Sequence, residues 1–130
     1  MQHGLVLRAA SRPGGLIAIQ LAGVVDAHTL DRFEGALGKA LEHGARALLL
    51  DCAELRYMSS SGFGELIRYH DRLREQGGTM VLARVAPKVA VILEMLGLKS
   101  LIPVVDSLEE GLRIAQGGPD AAAPDAGAQT

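Results

Sequence analysis

Four apolar residues in unbroken succession, Ala47-Leu48-Leu49-Leu50, sit between Ala45 and Asp51. So short and uniformly apolar a run reads as a strand covered on both faces, and such strands belong to parallel sheets layered with helices. The flanking segments agree. Ahead of it, Leu30, Phe33, Leu37, Ala40 and Leu41 trace a helical stripe, which Asp26 or Thr29 can cap and Gly44 can end. Behind it, Phe63, Leu66, Ile67, His70 and Leu73 trace a second stripe within Ser60 to Gln76, stopped by Gly77-Gly78.

The rest of the chain completes an alternating order. Leu5 to Ala10 and Leu16 to Ala22 read as two strands around the turn Pro13-Gly14-Gly15. In the second, Ile17, Ile19 and Leu21 share one face, with Ala18 and Gln20 on the other. Thr79 to Ala83 reads as a strand. Pro87 opens a helix through Val89, Ile92, Leu93 and Leu96 that Gly97 closes. Leu101 to Val105 is a strand whose Pro103 places it at a sheet edge. Ser107 and Glu110 form a capping box before a last helix with Leu108, Leu112 and Ala115 inward. The order β-β-α-β-α-β-α-β-α predicts an α/β domain. Its mixed sheet has about five strands, an N-terminal hairpin then parallel strands, with about four helices packed mainly on one face. Residues 4–116 form this unit. Residues 117–130, with five Ala, three Gly and two Pro but no large apolar side chain, are expected to be a disordered tail.

Composition narrows the function. Thirteen basic against fifteen acidic residues give a net charge of −2, and the aromatics are four: Phe33, Tyr57, Phe63 and Tyr69. Neither a basic face nor stacking platforms are implied, so no nucleic-acid partner is expected. No apolar run reaches the ~18 residues of a membrane span. The start Met1-Gln2-His3-Gly4 lacks a basic stretch leading into an apolar one. With a single cysteine, Cys52, this favours a reducing cytoplasm, and Cys52 reads as a buried apolar residue without a redox role. His3, His28, His43 and His70 share no ligand spacing with Cys52, so no metal is expected. A dinucleotide loop is excluded because Ile67 stands where Gly62-Phe63-Gly64 would need its third glycine. Ser60 has Gly62 two residues on, but Met58 replaces the other glycine of a nucleophile elbow. No catalytic residue, cofactor or small-molecule substrate is expected.

The informative stretch is Tyr57-Met58-Ser59-Ser60-Ser61-Gly62-Phe63-Gly64, which opens the second helix. One serine suffices as a helix cap. The others put hydroxyls where a kinase can reach them. A phosphate there adds ~1.5 to 2 negative charges, which a helix N-terminus tolerates. Gly62 and Gly64 leave the backbone open to a partner, and an exposed Phe63 would supply an apolar anchor.

These segments resemble the STAS domain, and in particular the stand-alone bacterial anti-anti-sigma factors. The resemblance covers about residues 5 to 115. It rests on Leu21 to Thr29, on Leu48-Leu49-Leu50-Asp51 followed by Tyr57 to Gly64, on Gly77-Gly78 before Met80 to Ala83, and on Leu93 to Leu98. It implies partner switching. The unmodified protein binds an anti-sigma factor that is a GHKL-type serine kinase, phosphorylation releases it, and a PP2C-type serine phosphatase resets it. The acceptor falls on Ser60, with Ser59 and Ser61 as the next candidates. The implied partner-binding residues are Asp26, Thr29, Ser59, Ser60, Ser61, Gly62 and Phe63. Ser59 stands where the family has aspartate, and Phe63 where it has leucine. Other STAS domains are accessory subunits of lipid-transport complexes or of stress-sensing assemblies.

Overall fold

A computed structural model describes residues 4–117. His3 and all of the expected tail beyond Gly117 lie outside the described residues. The strands are β1 (Leu5–Arg12), β2 (Leu16–Val25), β3 (Ala47–Met58), β4 (Thr79–Ala83) and β5 (Val104–Val105). The helices are α1 (Leu30–Glu42), α2 (Ser60–Glu75), α3 (Pro87–Met95) and α4 (Leu108–Ala115), with a short 3-10 turn at Leu98–Ser100.

One sheet holds all five strands in the order β1-β2-β3-β4-β5. β1 and β2 are antiparallel, and every later pairing is parallel. The apolar run of β3 lies at the centre, with Leu48 and Leu50 facing one layer and Ala47 and Leu49 the other. The mixed sheet read from the sequence is therefore the sheet observed.

The two layers are unequal. Phe33 and Leu37 of α1, Leu66 and Leu73 of α2, and Val89 and Leu93 of α3 pack on the first with Ile19, Leu48, Leu50 and Leu82. Among the described residues, α4 is the helix that covers the second, where Ala115, Leu108 and Leu112 meet Leu49, Val81, Ala83 and Val105. Its Gly111 lies so close to the sheet that a Cβ there would come within 2.6 Å of the Leu49 side chain. Between α1 and α2, the Tyr69 hydroxyl donates to Glu34 at 2.9 Å and fixes their spacing.

Four strands depart from the expected bounds; β1 and β2 run on to Arg12 and Val25, and β3 and β5 differ more. β3 runs seven residues past Asp51, with Cys52, Leu55 and Met58 inward at every third position. That extension pairs with β2 alone. It absorbs register shifts between Gln20 and Ala22 and between Gly23 and Val24. β5 shrinks to two residues. Pro103 has no amide to donate, and only its carbonyl joins the ladder, accepting from the Leu82 amide at 2.9 Å. Where β3 and β4 part, Arg84 adopts a left-handed φ of 60° and holds Asp51 with two hydrogen bonds of 2.8 and 3.2 Å.

Cys52 is enclosed on β3. Burial, and secondarily the charge of Asp51, push its thiol up to about 12. Thiolate is the nucleophile in alkylation. Iodoacetamide at pH 8 should therefore leave Cys52 unmodified in the native protein and label it fully in guanidinium, as read by intact mass. Rapid labelling of the native protein would contradict this packing.

Candidate functional site

The site forms where the long extension of β3 ends. Met58 is the last strand residue, Ser59 caps the helix, and Ser60 begins α2. The Ser59 amide donates to the Val25 carbonyl at 2.8 Å, which ties this junction to the end of β2 and so to Asp26. The expected loops are thus brought side by side.

The three serines have different surroundings. The Ser59 hydroxyl accepts from the Gly62 amide at 3.3 Å, and its carbonyl accepts from Phe63 at 3.1 Å. It is half-buried and committed to the cap. Ser and Asp are both strong helix caps. Ser59 thus performs locally what the aspartate of the family pattern would. Ser60 and Ser61 are exposed in the first turn. Amides in that turn have no acceptor within the helix and carry its positive dipole end.

Asp26 and Thr29 build the neighbouring turn. The Asp26 carboxylate accepts from the His28 amide at 2.9 Å and the Thr29 amide at 3.2 Å. The Thr29 hydroxyl donates to the Val24 carbonyl at 2.8 Å and accepts from the Asp26 amide at 2.9 Å. Desolvation raises the Asp26 carboxyl, but the His28 and Thr29 amides and the nearby His28 outweigh it and hold it below its ordinary value. A fixed negative charge therefore stands beside the serine turn at neutral pH.

Three expectations need correction. Thr29 is 4 % exposed, so its hydroxyl pins the turn from inside and is not a contact surface. Phe63 is 2 % exposed and packs into the core, so it is no exposed anchor. The helical period explains this: Phe63 heads the inward stripe that continues through Leu66, Tyr69, His70 and Leu73. Gly62 is also buried. A Cβ there would lie 2.6 Å from the Met58 side chain and 2.9 Å from Val25, so its glycine serves packing, whereas Gly64 faces open space. His70 is buried on α2, with Nδ1 3.3 Å from Asp71. Ten residues of helix, about 15 Å, separate it from Ser60, too far for it to act as a base there.

The family model described as the STAS domain matches residues 8–111. The chain belongs to the STAS domain family. This STAS domain is 32 % identical over 95 residues to BtrV of Bordetella bronchiseptica, provisionally named an anti-sigma factor antagonist; the match covers 73 % of this chain and 82 % of that protein. It is 29 % identical over 94 residues to the anti-sigma F factor antagonist of Paenibacillus polymyxa, covering 72 % and 80 %. Among solved structures, the anti-sigma factor antagonist SpoIIAA in its unphosphorylated form superposes with a TM-score of 0.74 at 21 % identity, over 86 % of this chain and 97 % of that one. SpoIIAA of Bacillus in the phosphorylated form gives 0.67 at 20 % identity, over 84 % and 99 %. These two share the fold. Among the described residues, no helix of this STAS domain is long and apolar enough to cross a membrane.

The two glycines of the serine turn predict opposite outcomes. Gly62→Ala should cost about 1–3 kcal/mol through overpacking against Met58 and Val25. Gly64→Ala should leave stability unchanged or raise it by up to about 1 kcal/mol, through helix propensity. Urea denaturation of both variants checks this, and equal effects would contradict the assigned packing.

Proposed function

We propose that this chain is a cytoplasmic anti-sigma factor antagonist switched at Ser60. Unmodified, it binds a GHKL-type anti-sigma factor serine kinase and frees the sigma factor. Phosphorylation of Ser60 by that kinase releases it, and a PP2C-type serine phosphatase restores it. The observation that carries this reading is the division of labour among the serines. Ser59 is held in the cap, while Ser60 opens the helix with an exposed hydroxyl. Ser61 is exposed as well and is the second candidate, and Ser59 the third. The names of the relatives support the antagonist role.

The physical chemistry of the switch is local. The helix N-terminus accommodates the added charge, so the fold is kept. The partner, docked against a turn that already carries the Asp26 carboxylate, meets two negative groups where there was one. Surface complementarity is lost without any rearrangement inside the domain.

Incubation with the cognate kinase and ATP should place one phosphate on Ser60, mapped by mass spectrometry; no label on any of Ser59, Ser60 and Ser61 would overturn the reading. Ser60→Asp should weaken binding of the anti-sigma factor by about 30-fold, ~2 kcal/mol, in calorimetric titration. Its thermal unfolding should stay cooperative with an unchanged or slightly raised midpoint.

A further inference from the structure

At the end of β3 and along α3 to its C-cap, four large apolar side chains stand in solvent. Tyr57 is 50 % exposed and Met95 78 %, and Val91 and Leu96 are more than half exposed. Val91 and Met95 are one helical turn apart on α3, so they line one side of that helix. Between α3 and the end of β3 runs an open groove of about 560 Å³, its walls formed by Tyr57, Met58, Val91 and Ile92 among others. The charged residues lining it are Arg56 and Lys88, both cationic. Neither makes an ion pair among the described residues. An apolar strip of this kind on so small a domain marks an interaction surface.

We propose that this groove seats an amphipathic helix of the anti-sigma factor, whose apolar face is bordered by carboxylates. The inference rests on the antagonist reading above and names the partner's chemistry. The charge pattern selects the occupant. Two unpaired cations on an apolar floor call for an acidic rim on an apolar stripe, the helix-in-groove mode of recognition. Lipid-binding surfaces need a larger cluster of basic residues, and this chain's net charge is −2. A second copy would bring the same two cations to the contact.

Continuity with the serine turn gives the groove its regulatory meaning. Met58 lines the groove, and Ser59 and Ser60 follow it directly. A helix that reaches the Met58 end of the groove arrives two residues from Ser60 in the chain. The carboxylates that Arg56 and Lys88 attract are the groups a phosphate on Ser60 repels. One set of partner charges therefore serves both binding and release.

The test uses the full chain and the anti-sigma factor kinase of the phosphorylation experiment. Val91→Asp, at a groove-lining side chain more than half exposed, should keep a cooperative melting curve close to wild type and bind about tenfold or more weakly. Arg56→Glu with Lys88→Glu should do the same, and wild-type affinity should fall as salt rises. Carbodiimide should join the Lys88 amine to an Asp or Glu in a helix of the kinase, identified by mass spectrometry. Unchanged affinity of Val91→Asp, while Ser60→Asp still weakens binding, would overturn the groove and leave the switch standing. A cross-link from Lys88 to another copy of this chain, or displacement of the kinase by phosphatidylglycerol vesicles, would also overturn it. A wild-type protein that binds no anti-sigma factor would end both proposals.

Discussion

The hydrogen bond from the Ser59 amide to the Val25 carbonyl joins the ends of two neighbouring parallel strands. Everything at the site depends on it. It fixes where β3 stops, and so where α2 begins. It places the Asp26 turn against the first turn of that helix. Gly62 then lets the helix come down onto Met58 and Val25 at a distance that any side chain would forbid. The exposed hydroxyls of Ser60 and Ser61 are held by a rigid strand end, and a surface so held can be altered by charge without being deformed.

On the proposed reading, this arrangement separates stability from signalling. Core packing lies on the inward stripe of α2, where Phe63 and Leu66 meet the sheet. Charge chemistry lies on the outward side of the same turn. The Asp26 carboxylate, held ionised by amides, sets the local potential before any modification. Because its value is lowered on folding, its contribution to stability is present above the ordinary carboxylate range and is lost as pH falls through its lowered value. The Asp26 carboxylate itself stays charged near neutral pH, and on the proposed reading a phosphate on Ser60 is the charge that varies.

Much of this was legible in the chain. The unbroken run Ala47 to Leu50 declared the central strand, and the change of period on either side declared the helices. Ser107 and Glu110 marked the last helix, and the Ser107 hydroxyl does accept from the Glu110 amide at 3.0 Å. What stayed hidden depends on contacts that the local pattern does not show. The extension of β3 past Asp51 carries charged residues, and its strand character comes from pairing with β2 through two register shifts. Thr29 resembles an exposed loop residue until its hydroxyl is found donating to the Val24 carbonyl. Phe63 and Gly62 sat in a motif that invited a surface reading, although the helical period alone pointed Phe63 inward. The close approach of α4 to the opposite layer uses a glycine, Gly111, whose significance appears only beside Leu49.

The central claim is that charge on Ser60 changes a surface and not a fold. Amide nitrogen–proton correlation spectra of the protein before and after stoichiometric phosphorylation of Ser60 test it most directly. Shift changes confined to about residues 24–29 and 57–64, with the dispersion of the sheet resonances intact, are the predicted result. Changes spread through β3, β4 and α4, or a collapse of dispersion, would contradict it.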